Sequence, residues 1–184
     1  RAQGWNVIYF NYRGSWGSEG KFSLKNCVND AIYVAEFCRK NSDSLQIDTA
    51  NMVLFGHSMG AWVCLKAIQK LPYIKKGFAL STWDFYSYYR DAKTKEEVMK
   101  KVKEDDDETM VLNTPAVEIF SAIKSDSLFY NLKNDAASLS QKEIVMLDEH
   151  QHNKKLADLI RQKNKSYFDY DVWQTDHPFS NKRI

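Results

Sequence analysis

The sequence predicts an α/β protein: a mostly parallel sheet flanked by helices, with a helical segment inserted between the later strands. Three observations lead there. Short β-rich apolar runs recur at residues 6–12, 52–55, 77–82, 143–147 and 168–173, and runs of that length bounded by polar residues read as strands. Between them, apolar residues recur at spacings of three and four, the helical period. Strand and helix in alternation imply parallel pairing through right-handed crossovers.

Residues 6–12 read as a strand buried on both faces. The loop at 13–20 holds Gly14, Gly17 and Gly20; its spacing fits neither the dinucleotide fingerprint nor the P-loop, so plain turn chemistry is expected. Ser23 is placed to cap a helix whose apolar positions include Leu24, Cys27, Val28, Ala31, Ile32, Ala35 and Cys38. After a polar stretch at 41–50 come the second strand and a helix reaching to about Leu71, where Pro72 marks its end.

From Trp83 to about Leu139 the pattern is helical and amphipathic, notably over 93–103 and 116–123. The chain is expected to divide into a first core part (1–82), a helical cap over the carboxyl edge of the sheet (83–139) and a second core part (140–184). Within the cap, the acidic run 104–108 reads as a solvated loop, because consecutive carboxylates point in different directions.

Composition narrows the function. With 184 residues the chain can bury one substantial core. Lys and Arg number 26 against 24 Asp and Glu, so no field is directed at nucleic acid. No apolar run approaches a membrane span. No signal peptide opens the chain, yet residues 1–5 look internal to a domain, which leaves cytoplasmic and exported locations equally open. Three cysteines make no disulfide framework; Cys27, Cys38 and Cys64 are expected as buried thiols.

The chemistry gathers where an apolar run meets Gly56-His57-Ser58-Met59-Gly60 and a helical pattern follows at once. This is the sequence form of a nucleophile elbow, in which a serine sits on a strained strand-to-helix turn. Glycines at 56 and 60 are expected to remove side chains that would clash, and the Met59 amide to face a developing oxyanion. His57 is expected to point away from the serine and shape the turn. Ser58, Asp148 and His177 each follow a predicted parallel strand, the edge where open α/β sheets place their sites. Serine needs a base poised near neutral pH, which histidine supplies, and the imidazolium that forms needs a carboxylate partner. Asp148 is the favoured acid from its place at the strand end. Glu149 and Asp84 are the alternatives, and Asp176, adjacent to His177, would have to fold back. Trp83 and Tyr86 would lie where substrate enters, or pack between cap and sheet. His150 and His152 could begin a zinc site, but no third ligand stands at fitting spacing, and no metal is expected.

Taken together, Tyr12–Gly20, the elbow at 56–60 and the segment Thr175-Asp176-His177-Pro178-Phe179-Ser180 resemble the α/β-hydrolases, in the group of dienelactone-hydrolase-like esterases and prolyl-oligopeptidase-type serine peptidases. The resemblance implies a Ser-His-Asp hydrolase with Ser58, His177 and Asp148, no cofactor, and a small ester or short peptide as substrate. Two features depart from that group. Its early His-Gly stretch, which supplies the second oxyanion amide, has no counterpart here, and the usual glycine-containing loop before the acid is shortened. These departures keep a catalytically silent binding protein as the alternative to an esterase or peptidase.

Overall fold

A computed structural model describes residues 4–90, 92, 94–104, 110–163 and 168–181. Four strands form one sheet in the order β1 (Val53–His57), β2 (Lys76–Leu80), β3 (Glu143–Asp148) and β4 (Phe168–Val172). Every pairing is parallel, with Gly56 opposite Ala79, Ala79 opposite Met146, and Met146 opposite Tyr170. The carboxyl ends of all four strands therefore open on one edge.

α1 (Leu24–Lys40) begins where Ser23 accepts a hydrogen bond from the Asn26 amide, the cap the sequence implied. α2 (Ser42–Leu45) is a single turn. α3 (Met59–Ile68) is buried from Ala61 to Ile68. A helix apolar on all sides belongs between layers, and α3 lies between the β1–β2 face of the sheet and α1. Its Trp62 is fully buried, stacked on Tyr130 with ring centroids 5.8 Å apart. Burial of such a ring contributes on the order of 4–6 kcal/mol. Lys66 is tolerated in this helix because its ammonium is 2.6 Å from Asp135 and lies over the Phe129 ring.

The inserted segment is helical, as expected: α4 (Phe85–Arg90), α5 (Lys95–Glu104), α6 (Ala116–Ser125), α7 (Ser127–Tyr130), a 3-10 turn at Leu132–Asp135 and α8 (Ala136–Leu139). Its later part packs beside α3 and α9 (Lys154–Lys163), and Ile119, Phe120, Ile123, Tyr130 and Leu139 join the core that holds Trp62 and Ile144. Residues 105–109, most of the acidic run, lie outside the described residues.

One expected strand is absent. Residues 6–12 are in neither strand nor helix, and Val7, Ile8 and Tyr9 are largely exposed. An extended run becomes a strand only through a neighbour's backbone groups, and among the described residues no backbone hydrogen bond ties this run to β1. Phe55 on β1 is accordingly 60% exposed.

Strand parity divides the sheet. Gly77, Ala79, Ile144 and Met146 face α1, α3 and α9, whereas Phe78, Leu80, Val145 and Leu147 face the other side, where Phe179 and Trp173 cover part of it.

Candidate active site

Ser58 occupies the turn between β1 and α3 with φ 54° and ψ −117°, a conformation rare for any residue but glycine. The turn is held by the Ser58 amide on the Leu80 carbonyl (2.9 Å), while the Ser58 carbonyl accepts from Ala61, Trp62 and Trp83. A Cβ at Gly56 would stand 2.1 Å from the Gly60 carbonyl oxygen, so position 56 admits nothing larger. At Gly60 the expectation fails: an added Cβ meets no atom within 4 Å. The crowding in this elbow is all on the strand side.

His177 follows β4 on a loop folded against the same edge. Its Nδ1 lies 2.7 Å from Glu149 Oε1, and a carboxylate can only accept, so Nδ1 carries a proton and Nε2 is the nitrogen turned away from the acid. His57 Nε2 donates to the His177 backbone carbonyl at 2.8 Å, and the two imidazoles stand 4.7 Å apart. His57 thus steadies the loop that carries His177, a role the sequence reading did not give it. Parity explains its direction: His57 is paired with Leu80, on the face where Phe179 packs.

The two candidate acids part at the end of β3, where Asp148 is the last residue of the strand and Glu149 lies just past it. Asp148 shares the face of Ile144 and Met146 and is buried; it accepts from the Asn153 amide, the Asn153 side chain and the Tyr170 hydroxyl at 3.0–3.1 Å. Burial raises its pKa above the ordinary carboxylate value, against the pull of those hydrogen bonds. The favoured acid is therefore engaged on the helix side of the sheet, and its neighbour Glu149 meets His177. Burial also pushes Glu149 upward, but the bonds from Ser81 and His177 outweigh it and leave its pKa below the ordinary value. Asp84 is occupied elsewhere, accepting from the Ser87 amide and from Lys133 at 3.2 Å. Asp176 turns inward on its own loop and accepts from the Ser180 amide.

Ser81, just past β2, is a site residue the sequence reading missed. It is buried, has φ 46°, and donates through Oγ to Glu149 Oε2. A serine directly after a strand, on the neighbour of the elbow strand, carries no motif that would have flagged it. Ser58, Ser81 and Phe179 are three of the five described non-glycine residues with positive φ, and strain of that kind concentrates at functional sites.

Met59 opens α3, in the first turn where amides have no intrahelical acceptor and the helix dipole favours an anion. Trp83 lies tilted against Phe85 with centroids 4.4 Å apart and joins Tyr86 at the border of the core. Among the described residues Ser58 Oγ makes no hydrogen bond, and no group of three or more His, Cys, Asp or Glu side chains could hold a metal ion. His150 and His152 contact each other edge to face. The three thiols are free and buried, and burial pushes that of Cys64 up to about 12, far from a nucleophile. A surface hollow of about 540 Å³ lies between the glycine loop and α1, lined by Phe10, Arg13, Glu19, Asp30 and Tyr33, and shares no residue with this site.

The sequence profile of the prolyl oligopeptidase family matches residues 1–168. The chain belongs to the prolyl oligopeptidase family. Its fold is that of the α/β-hydrolases, similar to an esterase of Pyrococcus furiosus, Pf2001, with a TM-score of 0.65 at 17% identity over 96% of this chain and 64% of that one. It is also similar to a puromycin-hydrolyzing peptidase of Mycobacterium tuberculosis, with a TM-score of 0.53 at 17% identity over 91% of this chain and 23% of the peptidase. An uncharacterized protein of Rickettsia prowazekii, RP471, is 33% identical over 79 residues, covering 42% of this chain and 32% of that protein. The chain thus spans less than two thirds of the length of each of these relatives. Among the described residues no helix is long and apolar enough to cross a membrane.

Proposed function

We propose that this chain carries the centre of a serine hydrolase that cleaves carboxylic esters through an acyl-enzyme, with Ser58 as nucleophile, His177 as general base and Glu149 as the acid that orients it. The observation that carries the reading is the His177 Nδ1–Glu149 hydrogen bond, because it fixes the tautomer whose Nε2 can take a proton.

In this mechanism Ser58 Oγ attacks the substrate carbonyl carbon as its proton passes to His177 Nε2. The carbonyl oxygen becomes an oxyanion and receives the Met59 N–H. Collapse expels the alcohol, which takes the proton from His177, and water repeats the sequence on the acyl-serine to release the acid. Glu149 stays ionised throughout and balances the imidazolium. Trp83 and Tyr86 are proposed to contact the substrate, with Trp83 nearest the serine through its amide on the Ser58 carbonyl. Hydrogen bonds between nucleophile and base are often long before substrate binds, which accommodates the unbonded Ser58 hydroxyl.

Peptide or amide cleavage is the second reading, favoured by the family to which the chain belongs. A catalytically silent binding module is the third, favoured by the half-exposed His177 ring. One experiment separates them: the chain is incubated with a fluorophosphonate and with p-nitrophenyl and peptidyl-anilide substrates. Modification at Ser58 with ester turnover supports the esterase, faster anilide turnover supports the peptidase, and no labelling at all supports the binding module.

A further inference from the structure

We infer that Ser81 is the positioning residue of this site: its hydroxyl holds Glu149 so that one carboxylate oxygen faces His177. The inference rests on the reading of Glu149 as the orienting acid and adds the group that orients Glu149 itself.

Glu149 lies beyond the last residue of β3, so no ladder hydrogen bond fixes its backbone direction. Its side chain has three rotatable bonds, and holding such a chain in one rotamer costs conformational entropy. Two contacts oppose that freedom: His177 Nδ1 on Oε1 and Ser81 Oγ on Oε2. His177 is 51% exposed along its side chain and sits on an irregular loop, whereas Ser81 is 5% exposed at the end of an interior strand. The rigid partner is therefore Ser81. Its own backbone is pinned by its amide on the Leu147 carbonyl at 2.7 Å, which ties it to β3 two residues before Glu149. The hydroxyl also approaches the His177 carbonyl, at 3.5 Å. Ser81 thus joins three elements of the site: the end of β2, the acid after β3 and the histidine loop after β4.

The backbone of Ser81 is strained as well. A residue at φ 46° is strained unless it is glycine, and relief of that strain needs only a glycine at this position. Serine there keeps the strain and supplies a hydroxyl, and the hydroxyl is what touches Glu149.

The test uses two variants of opposite backbone effect. Ser81→Ala keeps the strain and Ser81→Gly relieves it, while both remove the hydroxyl. In carbon-13 NMR titration of the whole chain, both are expected to move the Glu149 carboxyl midpoint upward, because one of the donors that stabilise the carboxylate is gone. In ester kinetics both are expected to lower kcat about 5- to 20-fold with KM unchanged. In a Glu149→Gln background, Ser81→Gly is expected to have no further effect on kcat, since the hydroxyl acts through that carboxylate. An unmoved Glu149 midpoint in both variants overturns the inference, and so does an undiminished additive loss in the double variant. Failure of the hydrolase reading looks different: Glu149→Gln then leaves turnover unchanged, while the titration still reports whether Ser81 holds Glu149.

Discussion

Asp148 and Glu149 are adjacent in the chain and serve opposite sides of the sheet: the first is buried against Asn153 and Tyr170, the second is bonded to His177 and Ser81. Their substitutions should therefore separate activity from stability. Glu149→Gln should lower kcat by about 10²- to 10⁴-fold, the range for a triad acid that loses its charge. Asp148→Ala should leave the Tyr170 hydroxyl and the Asn153 backbone amide without their acceptor and cost about 1–3 kcal/mol in urea unfolding. Equal losses of turnover in both variants would contradict the assignment.

Ser58→Ala should reduce ester turnover by at least about 10³-fold and abolish fluorophosphonate labelling while leaving the melting temperature within a few degrees. The Ser58 hydroxyl makes no hydrogen bond among the described residues, so its removal orphans nothing. Steady-state rates and mass spectrometry of the labelled chain check both halves.

The two elbow glycines should respond unequally. At Gly56 a methyl group would strike the Gly60 carbonyl oxygen, so Gly56→Ala should cost about 3 kcal/mol or more, beyond ordinary overpacking. At Gly60 the space is open, and within a helix Ala is the better residue, so Gly60→Ala should be neutral or stabilising by up to about 1 kcal/mol. Melting curves of the pair decide it.

Acid should weaken the site in a defined direction. Glu149 has its pKa below the ordinary 4.5, so its ionised form contributes stability that is present above about pH 4.5 and is lost as the pH falls through the lower, folded value. Asp148 runs the other way: its raised pKa favours the protonated form, so its contribution is largest in acid and declines as the pH rises through its folded value. The melting-temperature gap between the wild type and Glu149→Gln should accordingly narrow from pH 6 to pH 3, whereas the gap to Asp148→Asn should not follow that course. Differential scanning calorimetry across the range checks both signs.

The amides of residues 6–11 should exchange with solvent at rates close to those of unstructured chain, since they donate no backbone hydrogen bond among the described residues. Those of Ala79 and Met146, in the middle of the sheet, should be among the slowest.

Much of this protein is local, and what is local was legible. The period of α1 with Ser23 as its cap, the apolar runs of β1 to β4 and the glycine-flanked serine all follow from the chemistry of neighbouring residues. The elbow could be read because its strain and crowding arise within five consecutive positions. The helical insertion was legible by its period, although its sharing of one core with α3 was not.

The remainder depended on partners distant in sequence. Residues 6–12 have the composition of a strand, but a strand exists only where a second chain segment offers its backbone. Asp148 and Glu149 are nearly equivalent as text; the pleat turned one toward the helices and left the other to a loop 28 residues away. Ser81 carried no signal at all, because its importance lies in what β3 and the His177 loop bring to it. The sequence by itself determined which segments become strands and helices and where a nucleophile could be held. Only the tertiary structure decided which carboxylate meets the imidazole, since that choice is made by how the chain leaves β3 and by packing against the His177 loop rather than by residue type.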